Sequence, residues 1–223
     1  RKDGIVFYNG DSAQAKEIAE ESIGKKIPFT AHDAPVSLGE IQLIGRHNLS
    51  NIAAAFKVAE HFGVSAETAI NVFRNFTGLP HRLQSLGVHQ GIEWVDDAIS
   101  TTPESAVAAL DALGDRVRTI ILGGQDRGSD FSELAQRIAA SQVQTVILFP
   151  GSGPRIREAI GNAQADICFQ EAQSMEKAVL LGRQHTMTGA ICLLSTASPS
   201  YGMFKNFEEK GEQFKKYIEE LVS

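Results

Sequence analysis

From about residue 83 onward the chain alternates short, uncharged apolar runs with amphipathic stretches, and this alternation restricts the fold more than any other feature. Runs such as Thr119-Ile120-Ile121-Leu122 and Thr145-Val146-Ile147-Leu148-Phe149 are apolar on both parities, as strands covered on both faces must be. A strand with one wet face would alternate apolar with polar residues instead. Helix 103–113 leads to strand 118–122, helix 131–140 to strand 145–149, helix 154–160 to strand 166–169, and helix 175–183 to strand 190–194. A hairpin of 83–88 and 92–95 around Gln90-Gly91 precedes them, and an amphipathic helix over 204–221 closes the chain. The expected architecture is α/β, a doubly wound Rossmann-like domain of about 140 residues.

The first third reads differently. Strands are expected at 4–8, 26–30 and 37–44, with a helix capped by Asp11 and running to 22. Two helices follow. One spans 48–62, with Ile52, Phe56 and Ala59 on one face. The other starts at the cap Ser65 and carries Ala69, Val72, Phe73 and Phe76. Thr77-Gly78-Leu79-Pro80 breaks the pattern and sets the expected boundary, giving domains 1–79 and 80–223. Because the chain opens on Arg1 and runs almost at once into a strand, it reads as cut from something longer.

Composition excludes some functions. A hydrophobic content of 43% is enough for a real core. A net charge of -6 gives no basic footprint for nucleic acid. No apolar run approaches the roughly 18 residues of a membrane span, and no signal peptide opens the sequence. The two cysteines, Cys168 and Cys192, have no metal-ligand spacing. They are expected to be buried and reduced, which fits the cytoplasm.

Ligands of a doubly wound sheet bind beyond the carboxyl ends of its strands. Three loops expected there are unusually polar: Asp96 to Pro103, Gly123 to Gly128, and Ser195 to Gly202. Together they offer hydroxyls, helix N-termini and a guanidinium, which suit a small carboxylate. Parts of each also serve as caps or turns: Thr102-Pro103 makes a helix start, and Asp130 with Glu133 a capping-box variant. Gly151-Ser152-Gly153-Pro154 resembles a phosphate cradle but reads as structural. Gly24-Lys25-Lys26 lacks the spacing of a P-loop.

Gly45-Arg46-His47-Asn48-Leu49-Ser50-Asn51-Ile52-Ala53-Ala54-Ala55 resembles the G-x-H-N-x-x-N-x-x-A-A segment of the Mur ligases. Phe76 to Arg82 is similar to their F-x-G-L-P-H-R junction. Leu122-Gly123-Gly124 with Asp130-Phe131, and the tail from Leu193 to Gly211, match two further motifs in order. Within the family, the junction and tail look most like the glutamate-adding members.

The resemblance implies an ATP-dependent acid–amino-acid ligase using Mg2+, with glutamate, D or L, and UDP-N-acetylmuramoyl-L-alanine as substrates and an acyl phosphate as intermediate. It implies that residues 1–79 end the central ATP-binding domain and that 80–223 form the amino-acid-binding domain. A chain without the P-loop should then be inactive alone. Residue by residue, it places Asn48 and Asn51 near the nucleotide, Arg82 on its phosphate as the catalytic arginine, and Asp97 at the ribose. Asn48 would also cap its helix. Thr101 and Arg127 would grip the α-carboxylate of glutamate, and Ser200 and Phe207 would lie around its side-chain carboxylate. No metal ligand is expected in the chain itself.

Departures bear on specificity. Ile99 stands where the family has a lysine, Arg127 replaces a lysine, and Ser198-Pro199 replaces Cys-Ala. The Asp-Asp-x-x-Ser-Thr-Thr-Pro form looks more like a divergent branch that adds L-glutamate, so the enantiomer stays open. A folylpolyglutamate-synthase-like ligase and a non-catalytic nucleotide- or amino-acid-binding module remain as alternatives.

Overall fold

A computed structural model of the chain describes residues 4–163 and 166–221; the opening Arg1-Lys2-Asp3 lies outside them. The chain divides into two compact units, Arg1–Gly78 and Leu79–Ser223.

In the first unit, β1 (Ile5–Asn9) and β2 (Lys25–Phe29) pair in parallel as a two-stranded sheet joined by α1 (Ala13–Glu20). Neither strand has a fully buried residue. The cap of α1 is Ser12, whose hydroxyl accepts from the Ala15 N–H, rather than Asp11. The strand expected over 37–44 does not form. Instead Ser37 and Glu40 close a capping box on a 3-10 turn at Leu38–Glu40, a local alternative that serine and glutamate offer the backbone.

Helix α2 (His47–His61) starts one residue before its expected position. Asn48 is therefore not its cap; its amide reaches back to the Ile44 carbonyl at 2.9 Å. Helix α3 (Ala66–Asn75) is capped by Ser65 as expected, but Val72 and Phe76 are exposed. Ile18, Ile23 and Phe62 are each about 70% exposed or more.

The second unit is a six-stranded sheet between helical layers. A hairpin of β3 (Gln84–His89) and β4 (Ile92–Asp96) leads through α4 (Pro103–Leu113) to β5 (Val117–Gly124). Then follow α5 (Ser132–Ala139), β6 (Thr145–Gly151), α6 (Gly153–Asn162), β7 (Cys168–Glu171), α7 (Met175–His185), β8 (Ile191–Leu194) and α8 (Phe207–Glu220). The strand order is β3-β4-β8-β5-β6-β7, with β3 alone antiparallel.

The pleat sorts the core. Trp94, Ile121, Ile147, Phe149, Cys192 and Leu194 pack in one cluster with Val179 of α7 and Phe214 and Ile218 of α8. The opposite parity, including Val95, Ile120, Leu122, Val146 and Leu193, is equally buried and faces the layer of α4, α5 and α6. Each such side chain stabilises by roughly 1.5–3 kcal/mol on full burial, against about 1 kcal/mol for a helix cap. The two-faced core therefore holds this unit together. One cysteine differs from expectation. Cys192 is buried, but Cys168 is exposed because β7 is an edge strand.

Candidate functional site

Topology brings the polar loops together. The chain returns from β7 to insert β8 between β4 and β5, so the loops after β4, β5 and β8 leave three adjacent strands. Leu194 is in register with Asp96 on one side and Ile121 on the other, so β4 and β8 end level while β5 runs on to Gly124. This is the switch point at which doubly wound sheets bind ligands.

The loops are stitched to one another. Gly123 N–H donates to the Thr196 carbonyl at 2.8 Å and Gln125 N–H to the Pro199 carbonyl at 2.9 Å. The Thr196 hydroxyl lies 3.2 Å from the Ser100 carbonyl. The Gly151-Ser152 turn, expected to be merely structural, joins the same edge: the Ser152 and Ser198 hydroxyls are bonded at 2.7 Å in the interior. The backbones approach so closely that a Cβ on Gly124 would lie 2.5 Å from the Pro199 oxygen, and one on Gly151 2.2 Å from the Gly124 oxygen. Asp130 does not form the expected capping box; it accepts from the Ser132 N–H and hydroxyl.

Under these loops lies a buried polar cluster that sequence reading did not assemble. His81 Nδ1 and Asp96 Oδ2 are 2.7 Å apart. Lys210, 1% exposed, donates from Nζ to the Thr196 hydroxyl at 2.6 Å. Asp97, 3% exposed, accepts from the Leu83 N–H, the Ser195 hydroxyl and the Ser100 hydroxyl. Two adjacent aspartates ending a buried strand and a lysine in the tail helix were the available signals. Their pairing needed the fold.

Burial pushes the Asp97 carboxyl up to about 6, against the opposing pull of its hydroxyl and N–H donors and the Arg82 charge. It raises Asp96 as well, opposed first by His81. Burial pushes Lys210 down to about 8, with Asp96 and Asp97 opposing.

The raised Asp97 gives a testable pH dependence. The folded carboxyl keeps its proton above the pH at which the unfolded one loses it, so stability falls as pH rises between about 4 and 6. Asp97→Asn removes this contribution. Between pH 5 and 7.5 the stability difference between variant and wild type, from urea unfolding, should move about 1 kcal/mol in the variant's favour. An unchanged difference would show that Asp97 is not raised.

Asn48 and Asn51 lie in the first unit on the first turns of α2, their amides bonded to each other at 3.1 Å. In the second unit Arg82 is exposed between two buried residues in left-handed backbone, His81 with φ 62° and Leu83 with φ 45°. That geometry costs roughly 1–2 kcal/mol per residue and turns Arg82 outward. Asp97 faces inward, with three protein donors already on its carboxylate. Thr101 is half-buried.

Arg127 is exposed, bonded to Gln125, and stacks over the Tyr201 ring at 5.8 Å. It forms no ion pair among the described residues; the nearby Asp126 pairs with Arg155. Ser200 is 5% exposed, and its hydroxyl has no partner among the described residues. Phe207 opens α8 and meets the His81 ring edge-on, centroids 6.2 Å apart. Cavities of about 330 and 300 Å³ open beside α6, and none of Thr101, Arg127 or Ser200 lines either.

The sheet, with polar, interlocked loops at its switch point, makes the second unit a doubly wound α/β domain. Residues 81–197 match the family described as "Mur ligase, glutamate ligase domain", and the chain belongs to the Mur ligase family. It is 38% identical over 186 residues to UDP-N-acetylmuramoyl-L-alanine–L-glutamate ligase of Salinispora tropica, covering 82% of this chain and 41% of that protein. It is 32% identical to UDP-N-acetylmuramoylalanine–D-glutamate ligase of Hahella chejuensis, covering 92% and 45%. The chain thus spans less than half the length of these relatives.

Among solved structures, the MurF ligase of Thermotoga maritima in complex with ADP superposes with a TM-score of 0.68 at 17% identity, covering 99% of this chain and 55% of that one. Folylpolyglutamate synthase of Mycobacterium tuberculosis, complexed with ADP, gives 0.68 at 13%, covering 96% and 55%. Likeness at these identities is one of fold.

Proposed function

We propose that this chain is the C-terminal part of a cytoplasmic, ATP-dependent ligase that joins glutamate to UDP-N-acetylmuramoyl-L-alanine, and that the unit from Leu79 holds the glutamate. The observation carrying this reading is the edge formed by β4, β8 and β5, where Arg127 lies over the ring of Tyr201, the residue after Ser200, whose buried hydroxyl has no partner among the described residues. A dicarboxylate offers an acceptor to each. Thr101 and the N-terminus of α8 at Phe207 would complete the pocket. The sparse two-stranded sheet and exposed apolar residues of the first unit suit a piece of a larger ATP-binding domain, since a two-stranded sheet alone is marginal.

In this reading the precursor carboxylate oxygen attacks the γ-phosphorus of ATP and ADP leaves. The glutamate nitrogen then attacks the acyl carbon, phosphate leaves, and the amine gives up a proton. Arg82 would meet transferred phosphate charge, Asn48 and Asn51 the adenine end, and Asp97 the ribose or, given its inward carboxylate, the loop that presents it. The Mg2+ that such a transfer uses would be held by phosphate oxygens and one or two carboxylates, which the family resemblance puts mostly outside this chain.

The folylpolyglutamate-synthase reading has fold likeness behind it; the glutamate ligases have 32–38% identity. A binding module without catalysis leaves the family match unexplained.

Arg127→Ala in the full-length parent tests the pocket. Losing a charge-assisted hydrogen bond of about 1.5–3 kcal/mol should raise the glutamate KM on the order of 10- to 100-fold, with the ATP KM within about two-fold. Equal rises in both would remove Arg127 from the pocket.

A further inference from the structure

The loop after β8 is under strain at its middle. Ala197, 1% exposed, sits in left-handed backbone at φ 55°, a conformation alanine holds only where its surroundings enforce it. Its flanking residues show the enforcement. On one side the Ser198 hydroxyl is held by Ser152. On the other, the Thr196 carbonyl takes the Gly123 N–H, and the Thr196 hydroxyl takes the Lys210 ammonium.

The last contact fixes a proton as well as a position. A lysine ammonium can only donate, so Thr196 receives from Lys210 and must direct its own hydrogen elsewhere. The acceptors in reach are the Ser198 carbonyl at 3.0 Å, across Ala197, and the Ser100 carbonyl at 3.2 Å, in the loop that carries Thr101. The buried ammonium therefore locks a hydroxyl that ties the β8 loop either to itself or to the β4 loop. Ser200, whose hydroxyl has no partner among the described residues, lies two residues beyond Ser198 on the same loop. The charged groups facing Lys210 are Asp96 and Asp97, and both are themselves engaged, Asp96 with His81 and Asp97 with three donors.

We propose that Lys210 is a positioning residue for the amino-acid pocket: through Thr196 it holds the Ala197 turn and so sets where Ser200 meets its ligand. The inference rests on the glutamate-pocket reading for its ligand, but its structural half stands apart.

The test uses Lys210→Met, Thr196→Val and Lys210→Arg in the full-length parent. The first two remove the donor and the acceptor in turn, and the third keeps a charged donor. Removing either partner should raise the glutamate KM at least about ten-fold while the ATP KM stays within about two-fold, and Lys210→Arg should return most of the loss. Hydrogen exchange supplies a readout independent of activity. The Gly123 and Gln125 amides, which donate to the Thr196 and Pro199 carbonyls, should exchange at least about ten-fold faster in Thr196→Val, with the β6 amides unchanged.

If Lys210→Met does not fold, Thr196→Val alone decides. Wild-type exchange at both amides in Thr196→Val overturns the proposal, as does an equal rise of both KM values. If the parent does not use glutamate at all, the pocket reading falls, and the same exchange measured in Lys210→Met and Lys210→Arg still decides whether Lys210 sets the loop: faster exchange in the first and wild-type exchange in the second support it, and wild-type exchange in both overturns it.

Discussion

Gly211→Ala should destabilise the Leu79–Ser223 unit by about 3 kcal/mol or more, whereas Gly161→Ala should leave it unchanged or slightly firmer. Both glycines sit in helices, α8 and α6, so helix propensity alone favours alanine at each by roughly 0.5–1 kcal/mol. Space decides the difference. A Cβ on Gly211 would fall 2.1 Å from His81 Nδ1 and 2.7 Å from Asp96 Oδ2, whereas one on Gly161 meets nothing within 4 Å. The His81 ring is held by the Asp96 carboxylate and its own buried backbone, so it has nowhere to swing.

Either the His81–Asp96 pair parts, leaving buried polar groups unpartnered, or α8 lifts from the sheet and takes Phe214 and Ile218 out of the core. Chemical denaturation of the two variants reads the contrast. A Gly211→Ala protein as stable as wild type would show that α8 does not pack against the pair as described.

The same region shows what the sequence could and could not reveal. Strands β5 and β6 were readable because Thr-Ile-Ile-Leu and Thr-Val-Ile-Leu-Phe have only one way to satisfy both faces. Helices α3 and α4 were readable from their starts, Ser65 and Thr102-Pro103. By contrast, 37–44 looks apolar enough for a strand, yet Ser37 and Glu40 bond to each other and the backbone turns. That contest between local and long-range hydrogen bonding leaves no trace in a hydrophobic pattern.

The polar loops were visible as composition, but their adjacency depends on β8 inserting between β4 and β5, which no local signal states. Lys210 looked like one more lysine on an amphipathic helix. Only the packing of α8 puts its ammonium beneath Thr196. Asp97 looked like a ligand for ribose, and the fold gives its carboxylate three protein donors instead. Ser152 looked like part of a turn, and it braces Ser198 from the end of β6, across β5.

The largest effect expected of the functional account is all-or-none. Acyl-phosphate ligation couples every phosphate released to one amide bond, because the intermediate is consumed by the amine. A parent enzyme that binds glutamate at the β4–β8–β5 edge should release phosphate only when donor and amino acid are both present. The 223-residue chain, proposed to lack the phosphate cradle, should release none. The relatives include ligases named for L-glutamate and for D-glutamate, so each enantiomer is supplied separately.

The direct measurement is therefore phosphate and amide product, counted together, for the full-length parent with ATP, UDP-N-acetylmuramoyl-L-alanine and one glutamate enantiomer at a time. Equal amounts of phosphate and UDP-N-acetylmuramoyl-L-alanyl-glutamate are expected with one enantiomer, and a fall of about 1,000-fold or more when glutamate is left out. Phosphate release that ignores glutamate, or amide formation on a folate donor but not on the UDP-linked one, would contradict the proposed ligation.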